Sequence, residues 1–86
     1  MINAALSNDS VVFDTGTFET LPDALAWSKG RGGKYTVQLS RIYATQELQD
    51  ERPGASFSYD DDKGFFMYHN GYQWLGICEA DIDYLL

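Results

Sequence analysis

Residues 20–40, TLPDALAWSKGRGGKYTVQLS, constrain the fold more than any other stretch, because they hold a helix start, a stop and a change of hydrophobic period. Thr20 precedes Asp23 by three residues, the spacing of a capping box in which each side chain bonds the other's orphan backbone N–H. Pro22 falls in the first turn, where its missing N–H costs nothing. Leu21, Ala24, Leu25 and Ser28 recur at helical spacing, with Trp27 at the edge of the stripe. Lys29 suits the negative end of the dipole, and Gly30 is placed as a left-handed stop. The spacing predicts a helix over 21–29. A helix this short does not hold alone in water, since nucleation is costly, so it must pack on something.

What it packs on follows the turn Gly30-Arg31-Gly32-Gly33. From Tyr35 the pattern alternates: Tyr35, Val37 and Leu39 on one side, Thr36, Gln38 and Ser40 on the other. Period-2 alternation predicts a strand with one buried and one wet face, which favours an antiparallel sheet. The glycine cluster follows a helix instead of preceding one. Phosphate cradles need the positive dipole end ahead of them, so the cluster reads as a structural turn.

Around this segment, Val11-Val12-Phe13 marks a first strand over 10–14, and Thr15-Gly16-Thr17 a turn. Residues 1–9 show little periodicity and read as loosely held. The apolar phase shifts at Arg41-Ile42-Tyr43, a bulge or a strand end. Residues 45–54 read as a polar loop with a turn of helix through Glu47 and Leu48. Ala55, Phe57 and Tyr59 share one face of a further strand, and Asp60-Asp61-Asp62-Lys63-Gly64 forms a charged turn. Residues 65–69 and 72–77 flank Asn70-Gly71, a strong hairpin signal. A two-residue turn there sets His69 opposite Tyr72 and Met67 opposite Trp74. One face then carries Phe65, Met67, His69, Tyr72 and Trp74, the other Phe66, Tyr68, Gln73, Leu75 and Ile77. Only one of them can cover the core, and the set with His69 and Tyr72 is the one expected to stay open. Residues 79–86 read as a short helix docking through Ile82, Leu85 and Leu86. The expected fold is α+β, an antiparallel sheet of four to five strands with one helix on a face and a short C-terminal helix.

At 86 residues this is one domain, 1–86, large enough for a modest core without staples. A hydrophobic content of 44% argues against disorder. The single Cys78 excludes an internal disulfide framework. No apolar run approaches the ~18 residues of a membrane span and no signal-peptide pattern opens the chain, so the expectation is a soluble, cytoplasmic protein. The net charge is −7, and it is unevenly placed. In residues 1–43 the four acids Asp9, Asp14, Glu19 and Asp23 are balanced by Lys29, Arg31, Lys34 and Arg41. In residues 44–86 nine acids meet only Arg52 and Lys63. That disfavours direct contact with nucleic acid or anionic membrane, both of which want basic patches, and favours a basic partner or simply solubility.

Three groups of residues invite a chemical reading. Val12-Phe13-Asp14-Thr15-Gly16 resembles the motif that carries the catalytic aspartate of pepsin-like and retroviral proteases, in which two such aspartates share a proton. A single copy per chain would require a homodimer, and Thr17 and the helix that follows depart from that family's pattern. His69 and Cys78, a conceivable nucleophile pair, lie on opposite sides of a hairpin turn. With one histidine there is no zinc set. Asp60-Asp61-Asp62 fails the calcium-loop spacing, since Gly64 and Gly71 stand where ligands belong. The reading is a protein without catalytic activity, metal or cofactor.

The candidate partner-binding residues are therefore the acids Asp60, Asp61, Asp62, Glu79, Asp81 and Asp83 together with Tyr59, Tyr72 and Trp74. Acid steers a basic partner and rings anchor it. In size, acidity and mixed topology the whole chain resembles the small inhibitors encoded by phages and mobile elements, anti-CRISPR proteins among them. That resemblance implies inhibition of a basic, nucleic-acid-processing protein or nucleoprotein, such as a CRISPR-Cas effector, with acid standing where DNA would sit. The competing expectation is an interaction or assembly module whose exposed aromatic hairpin face makes the contact.

Overall fold

A computed structural model describes all 86 residues. The order along the chain is β1 (Ile2–Asn8), β2 (Val11–Phe18), α1 (Leu21–Lys29), β3 (Thr36–Arg41), α2 (Gln46–Glu51), β4 (Ala55–Asp60), β5 (Phe65–His69), β6 (Trp74–Ile77) and α3 (Glu79–Ile82). The six strands form one sheet in the order β2-β1-β3-β4-β5-β6, antiparallel throughout. The class is α+β as expected, with six strands and three short helices. No helix is long and apolar enough to cross a membrane.

The extra strand is β1. Its residues were expected to be loose, yet they pair with β2 on one side and β3 on the other. Ile2, Ala4 and Leu6 alternate into the core while Asn3, Ala5 and Ser7 face away. Two flanking ladders supply what weak local propensity does not. The β1–β2 connection is the two-residue turn Asp9-Ser10, both with positive φ (51° and 68°), the geometry of a type I′ hairpin. Thr15-Gly16-Thr17, expected to be a turn, lies inside β2, held extended by its pairing with Asn3, Ala4 and Ala5.

Helix α1 follows its local code. The Thr20 side chain accepts from the Asp23 N–H, and Ala24, Leu25 and Ser28 are buried. Its stop differs: Gly30 is right-handed (φ −62°), and the left-handed residue is Gly32 (φ +60°), against which the Asp61 carboxylate lies. The helix covers one face of the sheet together with α3. Between them and the strands sits the core of Ile2, Ala4, Leu6, Val37, Leu39, Phe57 and Phe66, closed by Ile82 and Leu86. β3 ends at Arg41 with no bulge, and Gly54 (φ +95°) passes so near the Leu39 carbonyl that no Cβ fits.

The β5–β6 connection is a four-residue loop, and the register places His69 opposite Trp74 and Met67 opposite Gly76. The expected pairing was therefore off by two residues. Asn70 decides this: its Oδ1 accepts from the N–H groups of both Tyr72 (2.8 Å) and Gln73 (2.9 Å), an Asx turn in place of the two-residue one. An even shift leaves strand residues on their expected faces. Phe66 and Tyr68 pack on the core. Phe65, Met67, His69 and Trp74 look away from the helices, and only Tyr72 leaves the strand.

Candidate protein-binding surface

The face of the sheet away from the helices is uncovered. Across it, by register, run Thr36, Gln38 and Ser40 of β3, Ser56 and Ser58 of β4, Met67 and His69 of β5, and Trp74 of β6. Its small polar residues are tied into local bonds: Ser56 Oγ donates to Gln38 Oε1 at 2.8 Å, and Gln38 in turn reaches the Pro53 carbonyl.

At one end of this face lies an open groove of about 710 Å³. It is floored by Ser7, Thr36, Ser58, Met67 and Trp74, and rimmed by Asp9, Asp60, Asp61 and Asp62, with Lys34 as the one basic residue. The acids arrive by two routes. Asp60 ends β4 on the open face and holds the following turn by accepting from the Lys63 N–H (3.0 Å), while Asp61 and Asp62 form that turn's exposed crest. Asp9 comes from the β1–β2 turn, which the pairing of β1 with β3 swings to the same end. No ion pair ties any of these four aspartates; the two salt bridges of the fold lie elsewhere. Such a rim attracts cations in a way a neutralised cluster would not.

Of the nine predicted residues, the structure brings Asp60, Asp61, Asp62, Trp74 and, at the border, Tyr59 to one groove and places the rest elsewhere. Tyr59 borders the groove, but its ring packs edge-on against Phe66 (centroids 5.0 Å apart), because it alternates with Phe57 on the covered side. Tyr72 is 94% exposed at the tip of the β5–β6 turn, at the opposite end of the strands from the Asp60–Asp62 turn. Glu79 and Asp83, expected to be free acids, pair with Lys29 and Arg41 on the helical side of the sheet, and Asp81 is exposed beside them without an ion pair. The Glu79 carboxylate, chiefly through its hydrogen bond, holds the Lys29 ammonium above the ordinary lysine range. The residues missed are Asp9, Lys34, Met67 and the hydroxyl floor. A reading of Ile2, Ala4 and Leu6 as a strand would have placed Asp9 in a turn and exposed the connection.

The other motifs stay apart. Asp14 sits in the edge strand β2 opposite Leu6, its Oδ1 accepting from the Thr15 N–H at 2.9 Å. His69 pairs with Trp74 at one end of the β5–β6 ladder, and Cys78 lies just past the other end and is exposed. No three His, Cys, Asp or Glu side chains converge as metal ligands. Comparison with protein-family models, curated proteins and solved structures finds no match for this chain.

Proposed function

We propose that the chain is a non-enzymatic acidic binding protein that inhibits a basic, nucleic-acid-processing partner, as anti-CRISPR proteins do, by laying acid where that partner's nucleic acid would run. The observation that carries this reading is the groove: four unpaired aspartates against one lysine, beside an apolar floor of Met67 and Trp74. Unpaired carboxylates suit a partner's surface that is built to receive phosphates. Trp74 adds an aromatic anchor onto which an arginine can stack. The partner class is a basic protein or nucleoprotein, a CRISPR-Cas effector being the leading example.

A second reading keeps the same open face and shifts the weight. Trp74 is 40% exposed on an edge strand, and Tyr72 projects beyond it. Those side chains suit an assembly module that binds through apolar contact and strand edge.

Immobilised protein, wild type and the combined Asp60→Lys, Asp61→Lys, Asp62→Lys variant, separates the two on host extract. On the first reading the retained partner is basic, is displaced by duplex DNA, and is lost both in the variant and as salt shrinks the Debye length from ~10 Å at 0.1 M to ~3 Å at 1 M. Retention that survives salt and the lysines but is lost in Trp74→Ala establishes the second reading. Direct DNA binding by this chain at low salt overturns the first.

A further inference from the structure

The chain's one histidine, His69, ends β5 on the open face. Its Nδ1 accepts a hydrogen bond from the Gly71 N–H at 3.1 Å, inside the turn that follows. Its ring stands at 75° to the indole of Trp74, with centroids 5.0 Å apart. An imidazole accepts at Nδ1 only while that nitrogen keeps its lone pair, and in the imidazolium both nitrogens are donors. Neutral His69 in this geometry therefore carries its proton on Nε2. Protonation sets two donors, Nδ1–H and the Gly71 N–H, against each other. The charge gained is at the same time attracted by the neighbouring indole.

We propose that His69 is a proton-operated switch of the β5–β6 turn: the neutral ring closes the turn through Gly71, and the protonated ring releases Gly71 and engages Trp74. The remaining bonds of the turn do not involve the imidazole. Asn70 Oδ1 accepts from Tyr72 and Gln73, and the Asn70 N–H donates to the Gln73 carbonyl at 3.1 Å. The hairpin therefore persists in both states, and only Gly71, the exposed Tyr72 and Trp74 respond. Trp74 also floors the acidic groove, so the switch sets the aromatic part of that site. This last link rests on the binding reading above; the switch itself does not.

The cross-strand neighbours of His69 are uncharged on both sides. Across β4 its neighbour is Ser56, which bonds Gln38, and Gln38 reaches the Pro53 carbonyl, with Arg52 the charged residue on that segment. Across β6 stands Trp74, and the turn contributes Tyr72. No carboxylate is in ion-pair contact with the ring. Histidine changes charge between about pH 5 and 8, apart from tyrosine, arginine and the carboxylates.

The test is a nitrogen and proton NMR titration of the full chain across that range. The expected result is an Nε2–H tautomer at the high-pH end, with the Gly71 amide and the Trp74 indole N–H moving on the same midpoint as the His69 ring, and the Gln73 amide moving less. In His69→Gln, whose side chain does not titrate, both movements disappear. An Nδ1–H tautomer, a Gly71 amide indifferent to pH, or movement that survives His69→Gln overturns the proposal. The wild-type tautomer decides it even without the variant. Because no partner enters the measurement, failure here leaves the binding reading intact, and failure of partner capture leaves the switch intact.

Discussion

The two faces of the sheet are cut from the same strands, residue by alternate residue, and they differ in almost everything else. Along β3, Val37 and Leu39 are wholly buried while Thr36 and Gln38, which alternate with them, are half-buried on the open face. On β5, Phe66 is wholly buried beneath the helices, and Phe65 beside it is 39% exposed, its ring over Gly76. The covered face is held by apolar burial and closed by α1 and α3. The open face has no such cover, and its serine hydroxyls donate to the Gln38 side chain and to nearby backbone carbonyls. Stability is thereby concentrated on one side. Met67, Trp74 and the aspartates of the groove serve no comparable packing role, which is why the open face is where function is sought.

The sharpest way to break that division is to truncate the adjacent phenylalanines. Phe66→Ala should cost about 3–5 kcal/mol, the usual toll for removing a buried aromatic ring and leaving a cavity. For a domain with a total of roughly 5–15 kcal/mol this is close to unfolding. Phe65→Ala should cost about 1 kcal/mol. Urea unfolding of both variants checks this, read from midpoints at constant slope. Equal losses would mean that the open face is a second core and the division is wrong. Leu25→Asp makes the same point from the helix, since an unpaired charge under α1 should leave no cooperative transition.

How much of this was legible in the sequence follows the same line between local and distant causes. Helix α1 was readable because Thr20, Pro22 and the Leu21-Ala24-Leu25-Ser28 stripe act within the segment itself. The face assignment of β3, β4 and β5 was readable because alternation survives a register error of two. Strand β1 was not read, because Ile2-Asn3-Ala4-Ala5-Leu6 alternates weakly and owes its order to neighbours on both sides. The site divides likewise. Asp60, Asp61 and Asp62 stand out as a charge run, whereas Asp9 joins them only through β1. Glu79 and Asp83 look free in sequence, since Lys29 and Arg41 are 50 and 42 residues away along the chain.

A smaller effect sharpens the comparison at the border of the open face. In the Asp9-Ser10 turn both residues hold positive φ, yet neither is glycine. A side chain in that region is strained by roughly 1–2 kcal/mol, and Asp tolerates it better than Ser. Ser10→Gly should therefore raise stability by up to about 1 kcal/mol, the relief being partly offset by the greater freedom of glycine in the unfolded chain. Thermal unfolding reads this as a rise of a few degrees. A fall would show that the Ser10 side chain contributes a contact worth more than the strain, and that this border belongs to the packed part of the molecule.

The smallest expected effect tests how charge is used on the two sides. On the helical side Lys29 pairs with Glu79 and lies 5.8 Å from the centre of the Tyr59 ring. Hydrogen bonding to Glu79, opposed by some desolvation and aided by the carboxylate's charge, raises the lysine above its ordinary value of 10.5. A group whose affinity for its proton is higher in the folded state stabilises that state fully below the unfolded value. The contribution disappears only as pH climbs through the folded value. The stability difference between wild type and Lys29→Met should thus stay level from about pH 7 to 10 and shrink beyond, once lysine begins to lose its proton. Both partners are solvent-exposed, so the difference is also expected to fade with salt. A difference that varies between pH 7 and 9 would mean that another group supports α3 in place of Lys29. The aspartates of the groove have no such partner, so on the open face added salt should weaken partner capture while leaving the fold's own stability nearly unchanged.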